Sequence, residues 1–309
     1  MKPILAAGLL AVLLLSCRNT PPSPGSGAEK PVVSVSILPQ QYFLEQLAGD
    51  LVEINVLVPP GAGPETYEPT MNQMAALEQS ALYFRIGQLG FENAWMPRIS
   101  GMYPGLPVVD CSAGIDLIRE EEPGGMDAGH GTHDETDGHE AHVGEHDHGG
   151  WDPHIWMSVR NGRRMATTMA VALEEILPEH KELLHSRLDS LLSGLDDLDR
   201  KIDGMLAGKT QKAFMIYHPA LAYFAKDYGL EQHALESGGN TPSPGQMKAM
   251  VDLGLEKGIH TVFIQKQFDR ENALSLASAI GAEVEQIDPL DPAWSEQMIA
   301  IAGLLKEEK

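Results

Sequence analysis

Two kinds of apolar spacing alternate along the chain. The run V-V-S-V-S-I-L at 32–38 is rich in β-branched residues and of strand length, residues 41–48 place apolar side chains at helical steps, and 52–58 is strand-like again. That is a β-α-β unit. Residues 71–79 continue it as a helix, 81–86 as a buried strand and 106–109 as a short strand. Successive parallel strands need crossovers that cover the sheet with helices, so the pattern predicts an α/β lobe. The scheme returns later, with strands at 212–217, 261–265 and 283–287, helices at 219–228, 244–257 and 270–280, and a terminal helix from 295. Between the two halves lies a helical interval over 160–206, interrupted or kinked at Pro178.

The second half of that interval places Leu184, Leu188, Leu191, Leu195, Leu198, Ile202 and Met205 at alternating steps of four and three. At roughly 1.5 Å per residue the seam is about 33 Å long. Such a seam serves either a coiled-coil dimer or a helix packed along its own domains, and three heptads inside an α/β chain favour the second. The expected fold class is therefore α/β, two lobes with parallel sheets joined by a long helix. The expected boundaries are 31–157 for the first lobe, 158–207 for the helical connection and 208–309 for the second lobe.

Composition narrows the class. A chain of 309 residues that is 43% apolar can build the cores of two domains and is neither disordered nor collagen-like. Its 44 acidic against 22 basic side chains, a formal charge of −22, leave no cationic footprint for nucleic acid and make cations the natural ligands. The beginning of the chain bears on location. After Lys2 comes an apolar run over 4–15, shorter than the roughly 20 residues that span a bilayer, ending in L-L-S-C at 14–17. This looks like a lipobox, cut before Cys17 and lipidated there; an ordinary signal peptide with an incidental cysteine is the other reading. Residues 1–16 then form a signal peptide and 17–30, with three prolines, a tether to the cell envelope. The expected location is periplasmic or otherwise extracytoplasmic, on a lipid anchor. The one other cysteine, Cys111, leaves neither a disulfide framework nor a C-x-x-C metal cluster.

Candidate chemistry gathers where strands end. His218 follows the strand A-F-M-I-Y, Asp288 follows E-V-E-Q-I, Glu65 lies in the loop P-P-G-A-G-P-E-T-Y-E-P after the second strand, and His154 lies in W-D-P-H-I-W at the exit from the first lobe. Each alone has a structural explanation, a hydrogen-bonded histidine or a turn-capping acid. Together they offer two imidazoles and two carboxylates at the carboxyl ends of sheet strands, where open parallel sheets bind ligands, and that set suits a divalent transition metal. A second signal lies in 120–150. Six histidines, His130, His133, His139, His142, His146 and His148, stand among ten acidic residues with no Lys or Arg from 120 to 148. Such tracts bind metal weakly and at several sites, and protonation below about pH 6.5 would release it.

These features, with L-A-G-D at 47–50, L-V-P-P-G-A at 57–62, Y-E-P-T at 67–70, D-P-H-I-W at 152–156, Y-H-P-A at 217–220, P-S-P at 242–244 and I-D-P-L at 287–290, resemble the metal-binding lipoproteins of zinc and manganese ABC importers. This is the cluster A-I solute-binding family, its zinc branch above all. The resemblance spans nearly the whole chain after the leader. It implies Rossmann-like lobes joined by a rigid helix, one Zn²⁺ held between them with His154, His218 and Asp288 as ligands carried over by motif and Glu65 at the place of a fourth, and delivery of the ion by a monomer to a membrane permease driven by a cytoplasmic ATPase. It also makes the histidine-rich segment an accessory metal site.

One departure matters. Where the family's first-lobe loop usually carries a histidine, this chain has Glu65, so the donor set is similar to that of the manganese branch and Mn²⁺ is the alternative cargo. A harder oxygen donor favours Mn²⁺, whereas the Irving–Williams order still favours Zn²⁺ at any nitrogen and oxygen site. A further possibility leaves Glu65 unligated and a water in its place. An enzyme is not expected, since no H-E-x-x-H, G-x-S-x-G or P-loop sequence occurs. A metal-dependent surface adhesin is the remaining alternative.

Overall fold

The computed structural model describes residues 30–119, 150–236, 241–268 and 270–306. The signal peptide, Cys17 and the six histidines from His130 to His148 lie outside the described residues. Two four-stranded parallel sheets form the frame. In the first, β1 (Val32–Val35), β2 (Glu53–Val56), β3 (Ser80–Arg85) and β4 (Val108–Asp110) lie in the order β2-β1-β3-β4. In the second, β5 (Ala213–Ile216), β6 (Glu231–Ala234), β7 (Thr261–Gln265) and β8 (Glu283–Ile287) repeat that order as β6-β5-β7-β8. Both are the doubly wound arrangement, with the strand order reversing between the first and third strands of each sheet.

Helices α1 (Leu38–Leu47), α2 (Met71–Glu78) and α3 (Gly90–Met102) belong to the first lobe, and α6 (Ala222–Tyr228), α7 (Pro244–Lys257), α8 (Glu271–Ile280) and α9 (Trp294–Lys306) to the second. The central strands β1, β3, β5 and β7 are buried on both faces, which is why each reads as a nearly continuous apolar run. Serines fill two exceptions: Ser34 and Ser80 share a hydrogen bond of 2.7 Å inside the first sheet. Start signals act where they stand. Thr70 and Ser243 cap α2 and α7 in reciprocal pairs with Gln73 and Gln246, and Gly229 and Gly258 end α6 and α7 at positive φ.

The connection is a hairpin followed by a strut. The helix α4 (Val159–Ile176) ends at Leu177, a 3-10 turn over Pro178–His180 reverses the chain, and α5 (Lys181–Leu206) runs back antiparallel to it. Pairing of Arg163 with Asp196 near one end and of Glu174 with Lys181 and His185 near the other fixes that register. Of the two expected outcomes at Pro178, interruption and kink, the helix is interrupted, and the chain reverses there. Along α5, Leu184, Leu191, Leu195, Leu198 and Ile202 are buried, and Leu188 and Met205 pack partly buried beside them. The seam is satisfied within the chain, because α5 lies against α1 of the first lobe and α9 of the second. Arg187 of α5 donates to the carbonyls of Leu47 and Ala48 at the end of α1. The first lobe consequently shares one apolar core with part of the second, while β5, β7, α7 and α8 enclose a separate second-lobe core that includes Met215, Val262, Ile264 and Leu276.

Two elements lie outside the apolar pattern. Residues 90–102 form α3 in spite of Pro97, and 231–234 form the edge strand β6 in spite of the polar sequence E-Q-H-A.

Candidate metal centre

The three donors meet where the lobes face each other. His218 leaves the end of β5, and its backbone is held at two points by Gln265 at the end of β7. Gln265 donates its amide to the His218 carbonyl at 2.6 Å and accepts from the His218 N–H at 3.4 Å. Glu236, buried just beyond β6, accepts from the ring at Nδ1 across 3.2 Å, and Phe268 stacks on the ring face at 5.1 Å and 17°. The side chain is thus gripped on backbone, edge and face.

His154 precedes a 3-10 turn over Ile155–Met157 that leads into α4. Asp152 accepts from both the backbone N–H and Nδ1 of His154, each at 2.8 Å. The neighbouring Trp156 ring lies 5.1 Å from the His154 ring, donates to the Pro289 carbonyl beyond β8, and accepts at its own carbonyl from Trp294 of α9, each bond at 2.8 Å. These bonds stitch His154 to the second lobe.

Glu65 comes from the loop after β2. Residues 57 and 58 still pair with β1, and Gln73 of α2 donates to the Leu57 carbonyl. The loop then rests on α3, where Phe91 N–H donates to the Pro64 carbonyl at 3.2 Å. At Gly90 the backbones approach so closely that a Cβ would lie 2.2 Å from the Glu65 carbonyl oxygen, which only glycine permits. The first turn of α3 is in turn anchored by Glu92, a fully buried carboxylate that accepts from the hydroxyl of Ser36 and the N–H groups of Ile86 and Gly87.

At the meeting point the His218 and His154 Nε2 atoms are 3.2 Å apart, and Glu65 Oε1 stands 3.4 Å from the first and 4.0 Å from the second. The point equidistant from three atoms so placed is about 2.1 Å from each, within the roughly 2.0–2.2 Å of zinc bonds to imidazole nitrogen and carboxylate oxygen. Both Nδ1 atoms face carboxylates, which leaves the two Nε2 atoms turned toward each other and toward an anionic oxygen, a place that suits either a proton or a metal cation. Burial depresses the basicity of His218, but the hydrogen bonds and charges of Glu236 and Glu65 outweigh it and lift its pKa to about 9. For Glu65 burial works upward, and the contacts with His218 and His154 bring the net value below the usual carboxylate range.

Of the four expected residues, the structure brings Glu65, His154 and His218 together, the one such group among the described residues. Asp288 stands at the end of β8 as expected, yet its carboxylate faces Lys266 Nζ at 3.1 Å, Gln267 Nε2 at 3.3 Å and the Leu290 N–H at 3.1 Å. The small cavity beside the cluster is lined by its neighbours Pro289 and Leu290 and by Gln267. Sequence reading missed Asp152, Glu236 and Gln265. The D-P-H spacing held a clue to the first, since an acid two residues before a histidine can cap it locally. No local pattern marks the other two, which reach His218 from neighbouring strand ends.

A bilobal α/β binding protein with nitrogen and oxygen donors converging between its lobes is the class that fold and site define. Residues 33–302 match the family model described as zinc-uptake complex component A, periplasmic, and the chain belongs to that family. A solved ZnuA deletion mutant with zinc bound is 34% identical, covers 90% of this chain and 97% of its own, and superposes with a TM-score of 0.77. The high-affinity zinc uptake system protein ZnuA of Bacillus subtilis is 26% identical over 99% of this chain and 89% of its own. The manganese-binding lipoprotein MntA of Halalkalibacterium halodurans is 24% identical over 89% and 84%. The family is one of metal-binding solute-binding proteins and not of enzymes.

Proposed function

We propose that this protein captures Zn²⁺ between its lobes through Glu65, His154 and His218 and presents it to the permease of an ABC importer, whose cytoplasmic ATPase supplies the energy. The observation that carries this reading is the pair of imidazoles with both Nδ1 atoms committed to carboxylates, which turns two lone pairs and one carboxylate oxygen on a single point. Asp288, one residue from the cavity wall, is the candidate fourth donor, and it would have to exchange Lys266 for the ion. The chain itself catalyses no reaction on this reading. It works as a monomer anchored through Cys17 outside the cytoplasm, and the histidines of 120–150 hold further ions weakly. Among the described residues no helix is long and apolar enough to cross a membrane.

Glu65 supports a second reading. A carboxylate at this position hardens the donor set, and Mn²⁺ becomes the cargo if the coordination is wider than tetrahedral. Titration calorimetry of the protein from residue 18 onward, with Zn²⁺ and Mn²⁺ in parallel and with a Glu65→His variant, separates the two. One tight Zn²⁺ equivalent that outcompetes Mn²⁺ and survives Glu65→His supports zinc uptake. Tight Mn²⁺ binding lost in Glu65→His would make the protein a manganese carrier, and binding of neither ion would remove both readings.

A further inference from the structure

The segment 120–149 joins the described fold at two points that meet each other. Arg119 and Trp151 form an isolated antiparallel bridge, with the guanidinium 4.6 Å over the indole ring. One residue inward on each side, the Asp152 N–H donates to the Ile118 carbonyl at 2.8 Å. This neck is also the approach to the metal centre, because the Asp152 carboxylate is what fixes Nδ1 and the backbone of His154. Any pull or rearrangement in 120–149 therefore has a short covalent path to a metal donor.

A single side chain from the second lobe closes the neck. The hydroxyl of Tyr223, on α6, accepts from the Ile118 N–H at 3.1 Å and donates to the Asp152 carbonyl at 2.9 Å, so it binds both strands at once. The ring is 2% exposed. Burial raises the pKa of the phenol to about 12, so it keeps the proton it donates throughout the working range of pH. Removing this one oxygen leaves an N–H and a carbonyl each short of a partner, at the two places where the neck would open.

We infer that Tyr223 is a positioning residue that insulates the Glu65–His154–His218 cluster from the segment 120–149, by pinning both strands of the neck to the second lobe. The inference rests on the reading of the cluster as the metal site. With Tyr223 in place, the state of 120–149 leaves Asp152 and His154 undisturbed. Without its hydroxyl, the two become coupled.

A thermodynamic cycle tests this. Tyr223→Phe and the unchanged residue are each placed in the full chain and in a chain with 120–149 replaced by a short Gly-Asn-Gly link, and the first Zn²⁺ equivalent is measured against a competing chelator. With Tyr223 present, the full and shortened chains are expected to agree within threefold. With Tyr223→Phe in both, the full chain should bind at least tenfold more weakly than the shortened one. Equal losses in both chains, or no loss in either, would overturn insulation, because a merely structural hydroxyl has no reason to sense 120–149. Trp151→Ala, a mild change at an exposed side chain, should alter affinity less than threefold while Tyr223 is present; a tenfold loss there would also overturn it. The ¹⁵N imidazole signals of His154 in the metal-free full chain provide a readout independent of metal. They should show the Nδ1–H tautomer with Tyr223 and a mixture in Tyr223→Phe, and an unchanged tautomer would count against the inference. If neither chain with Tyr223 binds Zn²⁺ tightly, the metal reading fails, and the tautomer result alone decides the role of Tyr223.

Discussion

The two sides of the candidate metal centre are built differently. On the second lobe, His218 is held by Gln265 at its backbone, Glu236 at its ring edge and Phe268 at its ring face, all from strand ends or the turns that follow them. On the first lobe, Glu65 sits on a Pro- and Gly-rich loop whose position is set through backbone contacts with α3, and its side chain is 37% exposed. A donor gripped on three sides fixes a point in space and resists distortion. A carboxylate on a loop adapts to the ion that arrives there. On the proposed reading, His218 sets the affinity and Glu65 adjusts the selectivity.

The largest effect should come from the gripped side. His218→Ala removes the donor that both other ligands face and should abolish the tight equivalent in calorimetry, with the fold intact by circular dichroism. If Glu65→Ala proves as damaging, the asymmetry is wrong. Next, Glu236→Gln keeps a hydrogen-bond acceptor but removes the charge that raises His218's basicity; loss of such a partner to a metal-bound histidine costs about 10–100-fold in affinity. The same variant should lower the His218 pKa, which the Glu236 and Glu65 carboxylates push up to about 9, and NMR titration can follow the change.

Acidity gives a third measure. Metal-free His218 holds its proton below about pH 9, so an incoming ion must displace it, and affinity should fall about tenfold per pH unit on going down from there. Calorimetry at near-neutral pH, in buffers of different ionisation enthalpy, should then report release of about one proton per ion. For the metal-free fold the sign is opposite. A pKa raised from 6.5 to about 9 contributes stability that is complete below 6.5 and is lost as the pH rises through 9. The smallest effect is expected at Gly90→Ala, which must push the Glu65 carbonyl away. A severalfold loss of affinity would fit an adaptable loop, whereas a loss as large as that of Glu236→Gln would show the loop to be as demanding as the cradle.

Much of this architecture is legible in the chain because apolar runs dominate the buried strands. β1, β3, β5 and β7 announce themselves, and the α5 seam reads correctly because nearly every residue in it is buried against the two lobes. What escapes is whatever depends on partners far along the chain. β6 is polar since it lies at a sheet edge, and α3 hides behind Pro97, which a helix tolerates only with local cost. At the candidate metal centre, Glu65, His154 and His218 stand out by residue type and strand-end position. Glu236 and Gln265 look like ordinary surface residues in sequence and become buried partners of His218 only when β6 and β7 align beside β5. Asp288 shows the converse limit. Its place at a strand end is readable, but its pairing with Lys266 depends on how β7 and β8 end together.

Trp156 has an optical consequence. Its indole is buried, lies 5.1 Å from the His154 ring and is tied at both its N–H and its backbone carbonyl to the second lobe. A doubly charged ion arriving beside that ring changes the electric field along the indole without moving it. The emission of this tryptophan should therefore shift in wavelength more than in intensity as the ion arrives, so that the unlabelled protein carries its own gauge of occupancy.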